Sequence, residues 1–228
     1  MILASHQPDF FPYMGYFYKI FKSDVFVLSD DVQYSKKGRH NYNEILTTNG
    51  QLKFTLPIHY HVANLNEIKI AADDRTIEKM LKTLMQSYRK AACYEEAFPI
   101  IEELLHKAPE AKNLADFNSM CIQRIAVEFG MVDKFFIHSS LLHLKERKDA
   151  RIIEMCKRLN ADVYISGSGA KDYHIEEDYH RNGIKLVYSD YQPVQYLQIG
   201  KQVAENMSVI DYVMNCGFRI PERWFVYE

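Results

Sequence analysis

Short apolar runs that stop at a burst of polar residues constrain this chain more than any other feature. Residues 2–5 lead straight into His6, Gln7 and Pro8, and residues 25–29 lead into Asp30, Asp31 and Gln33. Between them, residues 13–21 form a helical stretch opened by Pro12 and closed before Ser23-Asp24. Strand, helix and strand in that order start a βαβ unit, whose parallel sheet gathers the carboxyl ends of its strands at one crevice where ligands bind. The expected fold class is α/β, a Rossmann-like parallel sheet with flanking helices. The polar bursts at the strand ends are the first place to look for a site.

Alternation resumes at residues 43–48, Asn49-Gly50 supplies a two-residue turn, and residues 51–57 return as the partner strand of a hairpin insertion. From Asp73 the period changes. Ile77, Met80, Leu81, Leu84 and Tyr88 fall at helical spacing behind an Asp73 or Asp74 cap. Pro99 suits an early turn of a second helix with Ile100, Ile101, Leu104 and Leu105, and Leu114, Phe117, Cys121 and Ile125 mark a third that stops at Gly130. The sheet then continues: a strand at 135–138, an amphipathic helix at 147–159, a strand at 162–165, a polar helical stretch to Gly183, and a strand at 184–188. Ser208 caps a last short helix at 209–215. Residues 1–228 thus read as a single α/β domain, with a helical subdomain at about 73–130 inserted in it.

Composition excludes several classes of function. A net charge of −2 with both signs mixed along the chain leaves no basic footprint for DNA or RNA, so no nucleic-acid partner is expected. No leader pattern and no apolar run of membrane-spanning length occur, so no membrane insertion is expected and a cytoplasmic location is. The 4 cysteines stand far apart without a Cys-x-x-Cys pair and read as core thiols. The 16 tyrosines beside one tryptophan suit a partly polar pocket or an interface, including one between copies of the chain.

The strand ends carry the candidate chemistry. Pro8 forces Gln7 into an extended conformation, which fixes His6 and Gln7 as a substrate clamp or general base, or else leaves His6 a hydrogen-bonded structural residue. Asp30 and Asp31 are adjacent and point to opposite faces; one faces the crevice to orient a hydroxyl or hold magnesium, or the pair forms a plain turn. Lys36, Lys37, Arg39 and His40 make a basic loop suited to phosphate or carboxylate, or a solvated charge run. Ser166-Gly167-Ser168-Gly169 offers backbone amides to an anion, or simply turns the chain tightly. His59 and His61 share a strand face without a third ligand, so no metal site is assigned. His174 and His180 flank the acidic run Glu176-Glu177-Asp178, which reads as a solvated helical face.

The stretches 6–20, 23–37, 161–191, 193–198 and 207–217 together resemble the WbqC-like protein family in order and spacing. The most specific pieces are the opening His-Gln-Pro with its Pro-x-x-Gly-Tyr-Phe, and Asp-Asp-Val-Gln-Tyr from Asp30 to Tyr34. The matching positions are His6, Gln7, Pro8, Pro12, Gly15 and Tyr16, then Asp30, Asp31, Gln33 and Tyr34. Further on they are Ser166, Gly167, Gly169 and Tyr173, then Tyr196, Gln198 and Asp211. This chain has Tyr42-Asn43 where the family pattern has Arg-Asn, and His174 where it has an aliphatic residue. A looser likeness links the opening to nucleotidylyltransferases and pantothenate synthetases, with Tyr13-Met14-Gly15-Tyr16 standing where their His-x-Gly-His motif grips phosphates. Phenols would replace both imidazoles there, so the likeness implies the Rossmann-like fold first and nucleotide binding second, with phosphate gripping passed to His6 or the basic loop.

The family resemblance implies a role in surface-polysaccharide and O-antigen biosynthesis or specialised metabolism. The expected activity is transfer of an acyl or aminoacyl group to an amino sugar, nucleotide sugar or related metabolite. His6 is the expected base, and Asp31, the second expected catalytic residue, would help to orient the acceptor. Gln7 and Asn43 would orient the acceptor, the amides from Ser166 to Gly169 would hold a carboxylate, phosphate or oxyanion, and Lys36 or Arg39 would supply charge. Two other readings stand beside it: nucleotidyl transfer with ATP and magnesium, and a non-catalytic binding or assembly partner. The expected cofactor is correspondingly either ATP with magnesium or an acyl or aminoacyl donor.

Overall fold

In the computed structural model, which describes residues 1–199 and 203–225, the first apolar run forms β1 (Ile2–His6). Helix α1 (Met14–Lys22) crosses over to β2 (Val25–Leu28), which pairs with β1 in parallel and sets Leu28 beside His6. The chain then leaves the sheet. Strands β3 (Tyr42–Thr47) and β4 (Gly50–Thr55) form the expected hairpin, and β5 (Ile58–His59) pairs antiparallel with β6 (Lys69–Ile70). Thr47 pairs with Gly50, so the turn residues are Thr48 and Asn49 rather than Asn49 and Gly50. Two bonds of the Thr47 hydroxyl, to the Gly50 carbonyl and from the Asn49 amide, hold that turn, and Gly50 takes φ +107° as the first strand residue.

The helical block follows as α2 (Asp74–Tyr88), α3 (Tyr94–His106) and α4 (Leu114–Glu128). Asp73 caps α2 by accepting from the Thr76 amide, and Asn113 caps α4 by accepting from the Asp116 amide. Helix α3 begins well before Pro99, which therefore sits in its second turn, where the missing N–H deprives only the Glu95 carbonyl of the first turn. Strand β7 (Phe135–His138) returns to the sheet beside β2, and α5 (Lys148–Arg158) leads to β8 (Val163–Ser166). A 3-10 turn and α6 (Glu176–Arg181) lead on to β9 (Lys185–Tyr188), and α7 (Val209–Cys216) starts at the Ser208 cap.

The five parallel strands lie in the order β7-β2-β1-β8-β9. In chain order within the sheet this is 3-2-1-4-5, the order of the first five strands of doubly wound dinucleotide-binding folds, and it reverses between β1 and β8. The two faces bury different partners, as period-2 alternation requires. Ala4, Phe26, Leu28 and Ile165 pack into the large core that includes α1, α7 and the helical block. Leu3, Val25, Val27 and Tyr164 pack under α5 and α6 with Ile153, Cys156 and Tyr179. Each fully buried Phe or Leu in these layers contributes about 1.5–3 kcal/mol of transfer free energy. Cys121 and Cys156 are core thiols as expected, whereas Cys93 and Cys216 are only half-buried, because they lie where the α3 and α7 ends meet the surface. Among the described residues no helix is long and apolar enough to cross a membrane.

Candidate active site

The register at the reversal point brings together two motifs far apart in the chain. Ala4 pairs with Ile165, and continuing that register sets Ser5 beside Ser166 and His6 beside Gly167. The loop after β1 is over-determined. Asn118 of α4 donates to the carbonyls of Pro8 and His40 at 2.8 and 2.7 Å, and Asn43 of β3 donates to that of Phe11 at 2.9 Å, where Ser208 Oγ also donates at 2.8 Å. These bonds hold Phe11 at φ +41°, a conformation that non-glycine residues rarely take.

His6 occupies the end of β1 with its side chain 35% exposed. Its Nδ1 lies 3.1 Å from the Gln7 carbonyl, an acceptor only, so Nδ1 carries the hydrogen and Nε2 is the basic atom of the neutral ring. Burial, and next the charge of Lys19, hold the His6 pKa below the ordinary imidazole value. Lys19 itself is 6% exposed, donates to the Ser5 carbonyl at 3.3 Å, and is pushed down to about 8 by burial against the pull of Asp9. Asp9 binds the buried His40 Nδ1 at 2.8 Å and lies 3.6 Å from His6 Nδ1.

At the end of β8, Ser166 is 4% exposed and its Oγ lies 2.7 Å from His174 Nε2. His174 Nδ1 lies 2.7 Å from Asp149 Oδ1, in the first turn of α5, and the other Asp149 oxygen accepts the Ile175 amide at 2.8 Å. Tyr179 OH donates to the same carboxylate at 3.2 Å. Burial works to raise the Asp149 pKa, but the Ile175 amide, His174 and Tyr179 together bring it below the usual carboxylate value. His174 is therefore no part of a solvated helical face, since its side chain is 7% exposed. Beyond Ser166 the chain opens to solvent: a Cβ added to Gly167 or Gly169 would meet nothing within 4 Å. The amides of Gly167, Ser168 and Gly169 find no acceptor among the described residues.

A second Asp–His pair lies across the sheet, where β2 and β7 end. Asp30, 3% exposed, accepts from His138 Nδ1 at 3.1 Å and from the Ser140 amide and hydroxyl at 2.9 and 2.7 Å. Burial alone would raise its pKa, yet these donors hold it at about 2, and the bond to Asp30 raises that of His138. The pair opens on a polar cleft of about 280 Å³ whose other walls include Asn66, Lys112, Asn113 and Asp116. Asp31 points away from it, toward α5, where it meets Arg151 and the Ser139 hydroxyl. Both carboxylates are thus occupied by protein donors. Among the described residues no three His, Cys, Asp or Glu side chains gather as a metal site.

The other expected residues divide sharply. Tyr16 is buried and donates to the Gln7 carbonyl at 3.0 Å, and Asn43 likewise supports the loop from beneath. Arg39 reaches Asn43 and Glu44 at 3.4 Å, Tyr34 donates to Asn41 at 2.9 Å, and Lys36 sits 4.3 Å over the Tyr60 ring. Gln33 is exposed and bridges to Asn64, and Tyr173 is exposed beyond Gly169. Tyr196 and Gln198 meet neither strand end. They donate to the buried Asp211 of α7 at 2.6 and 2.8 Å, opposite Tyr88 of α2 at 2.7 Å. Sequence reasoning missed Lys19, His138, Ser140, Asp149 and Arg151. For His138 the signal was present, since residues 135–138 end in a polar run of the same kind as those after β1 and β2.

Residues 7–222 match the WbqC-like protein family. An uncharacterized protein of Mycobacterium tuberculosis, Rv1507c, is 26% identical over 227 residues, a span covering 96% of each chain. No solved structure matches significantly.

Proposed function

The chain belongs to the WbqC-like protein family, and from that premise we propose that it transfers a small acyl or aminoacyl group to an amine or hydroxyl of an amino sugar, nucleotide sugar or related metabolite. The observation that carries this reading is the pairing of Ala4 with Ile165 at the reversal point of the sheet, just before the strand ends that carry His6 and Ser166. On one side stands an imidazole whose neutral form is favoured and whose Nε2 is the basic atom; on the other stand the amides of Gly167, Ser168 and Gly169, without acceptors among the described residues, where a Cβ on either glycine would meet nothing within 4 Å. A base for the acceptor's proton and donors for a developing oxyanion are the two elements acyl transfer needs. Gln7 and the basic loop with Lys36 and Arg39 would orient the acceptor and attract an anionic donor. The pathway implied by the family, surface-polysaccharide or specialised-metabolite biosynthesis, would supply both substrates.

A thermal-shift screen tests this with acyl thioesters, aminoacyl donors, amino acids, nucleotide sugars and nucleotides, with and without magnesium. A compound that binds only the folded state raises its melting temperature, by about 2.7 kcal/mol of added stability at one hundred times its dissociation constant. Acyl or aminoacyl donors are expected to shift the wild type, and His6→Ala to abolish the shift given by the acceptor. A shift by ATP with magnesium, and by no acyl donor, would replace this reading with nucleotidyl transfer.

A further inference from the structure

We propose that Ser166 is a covalent nucleophile, driven by His174 and Asp149, which holds the acyl group between donor and acceptor. The inference rests on the acyl-transfer reading above and adds an intermediate to it. Serine, imidazole and carboxylate stand in the order and at the spacing that nucleophile activation requires: Oγ to Nε2 at 2.7 Å, and Nδ1 to Asp149 Oδ1 at 2.7 Å. The Asp149 carboxylate only accepts and lies closer to Nδ1 than the Tyr179 hydroxyl does, 2.7 against 3.0 Å, so Nδ1 carries the hydrogen and the Nε2 lone pair faces the serine hydroxyl. Asp149 is itself fixed by the Ile175 amide and the Tyr179 hydroxyl, so the imidazole is oriented from behind.

A structural knot would need none of what surrounds this trio. Ser166 ends the strand at the reversal point, one residue past the Ala4–Ile165 pair, and the amides of Gly167, Ser168 and Gly169 that follow it find no acceptor among the described residues. Ser139 and Ser140, at the other end of the sheet, donate to carboxylates and have no imidazole to take a proton. Among the described residues Ser166 is the serine bonded to a histidine nitrogen.

The step balances without a further reactant. Ser166 Oγ attacks the carbonyl carbon of an activated ester or thioester as its proton passes to His174 Nε2. The tetrahedral oxyanion, held by the amides, collapses and expels an alkoxide or thiolate that takes the proton from His174. The acyl–Ser166 ester is then attacked by the acceptor amine or hydroxyl, whose proton goes to His174 Nε2 and finally to the departing Ser166 Oγ; with the serine in place, His6 orients the acceptor and His174 replaces it as the base. His174 replaces the aliphatic residue of the family pattern, so the trio belongs to this chain and is not implied by the family.

The test needs no knowledge of the natural substrate. The full chain is treated with diisopropyl fluorophosphate and mapped by intact and peptide mass spectrometry, and separately mixed with 4-nitrophenyl acetate. One diisopropylphosphoryl adduct per chain on Ser166, formed with loss of fluoride, is expected, together with a burst of nearly one equivalent of nitrophenol. Ser166→Ala should abolish both, and His174→Ala should slow labelling by roughly 100-fold or more. The wild-type burst keeps the test decisive if a variant fails to fold. An unlabelled wild type without a burst, or His174→Ala labelled as fast as wild type, overturns the proposal. Acyl transfer persisting in Ser166→Ala overturns the covalent step and leaves direct attack assisted by His6. Ser166 labelling without binding of any acyl or aminoacyl donor supports the nucleophile and rejects the transfer reading, so the two failures are separable.

Discussion

Two Asp–His pairs stand at the carboxyl edge of one sheet and do different things with the same two side chains. At the β2–β7 end, Asp30 is saturated by donors from His138 and Ser140, and its imidazole borders a polar cleft. At the β8 end, Asp149 has a shorter bond to His174, 2.7 Å against 3.1 Å, and the far nitrogen of that ring meets a serine hydroxyl. In the first pair the protein donates everything to the carboxylate, which fixes the loop after β7. In the second the line of bonds runs outward, from carboxylate through imidazole to a nucleophilic oxygen. What differs is the direction in which hydrogen-bonding capacity is spent, and that direction separates a brace from a relay.

The largest expected effect on this contrast comes from removing each carboxylate. Asp30→Ala leaves buried donors from His138 and Ser140 without an acceptor and should cost about 3–5 kcal/mol in urea unfolding. Asp149→Ala, at the more open start of α5, should cost about 1–3 kcal/mol. Equal losses would break the comparison. A smaller effect concerns the link between the pairs, since Arg151 binds Asp31 two residues along α5 from Asp149. Arg151→Met should cost about 1–2 kcal/mol, and a double-mutant cycle with Asp31→Asn should show most of it to be shared.

The smallest effect is on pH dependence, followed by imidazole resonances in NMR titrations. The His138 pKa is raised, so its stabilisation is full below about 6.5 and is lost as pH rises through its folded value. Asp30 is lowered to about 2, so its share is present above about 4 and lost as pH falls toward 2. The pair is therefore strongest between about pH 4 and 6.5. His6 has the opposite sign: its pKa is lowered, so the folded state gains above about 6.5 and is penalised as pH falls. His138 should titrate above the ordinary imidazole value and His6 below it, and Asp30→Asn should move only His138 strongly, downward.

Much of the frame was legible because strand ends announce themselves locally. His6, Asp30 and Ser166 each follow a short apolar run, and each lies where that pattern puts it. Helix α2 and its Asp73 cap were equally plain, since spacing and cap lie within a few residues of each other. What failed to show was pairing across the chain. His174 sits in an acidic stretch that mimics a solvated helix, and only packing against α5 brings Asp149 to it. Lys19 gave no signal because α1 is buried on nearly every side, so no pattern of exposure marks one lysine as interior. Tyr196 and Gln198 belong to a motif that the fold spends on Asp211, a brace between α2 and α7.

The position of β1 in the middle of the sheet has a consequence for how the crevice comes into being. Its first neighbour, β2, is local, but its second, β8, pairs Ile2 with Val163 after the hairpins and the whole helical block. Closing so long a loop must precede the contacts that reward it, which slows assembly. On the ribosome, the half that holds His6 waits for the half that holds Ser166. A chain released early carries an imidazole with nothing opposite it, so the capacity for chemistry arrives late, with the second wall of the crevice.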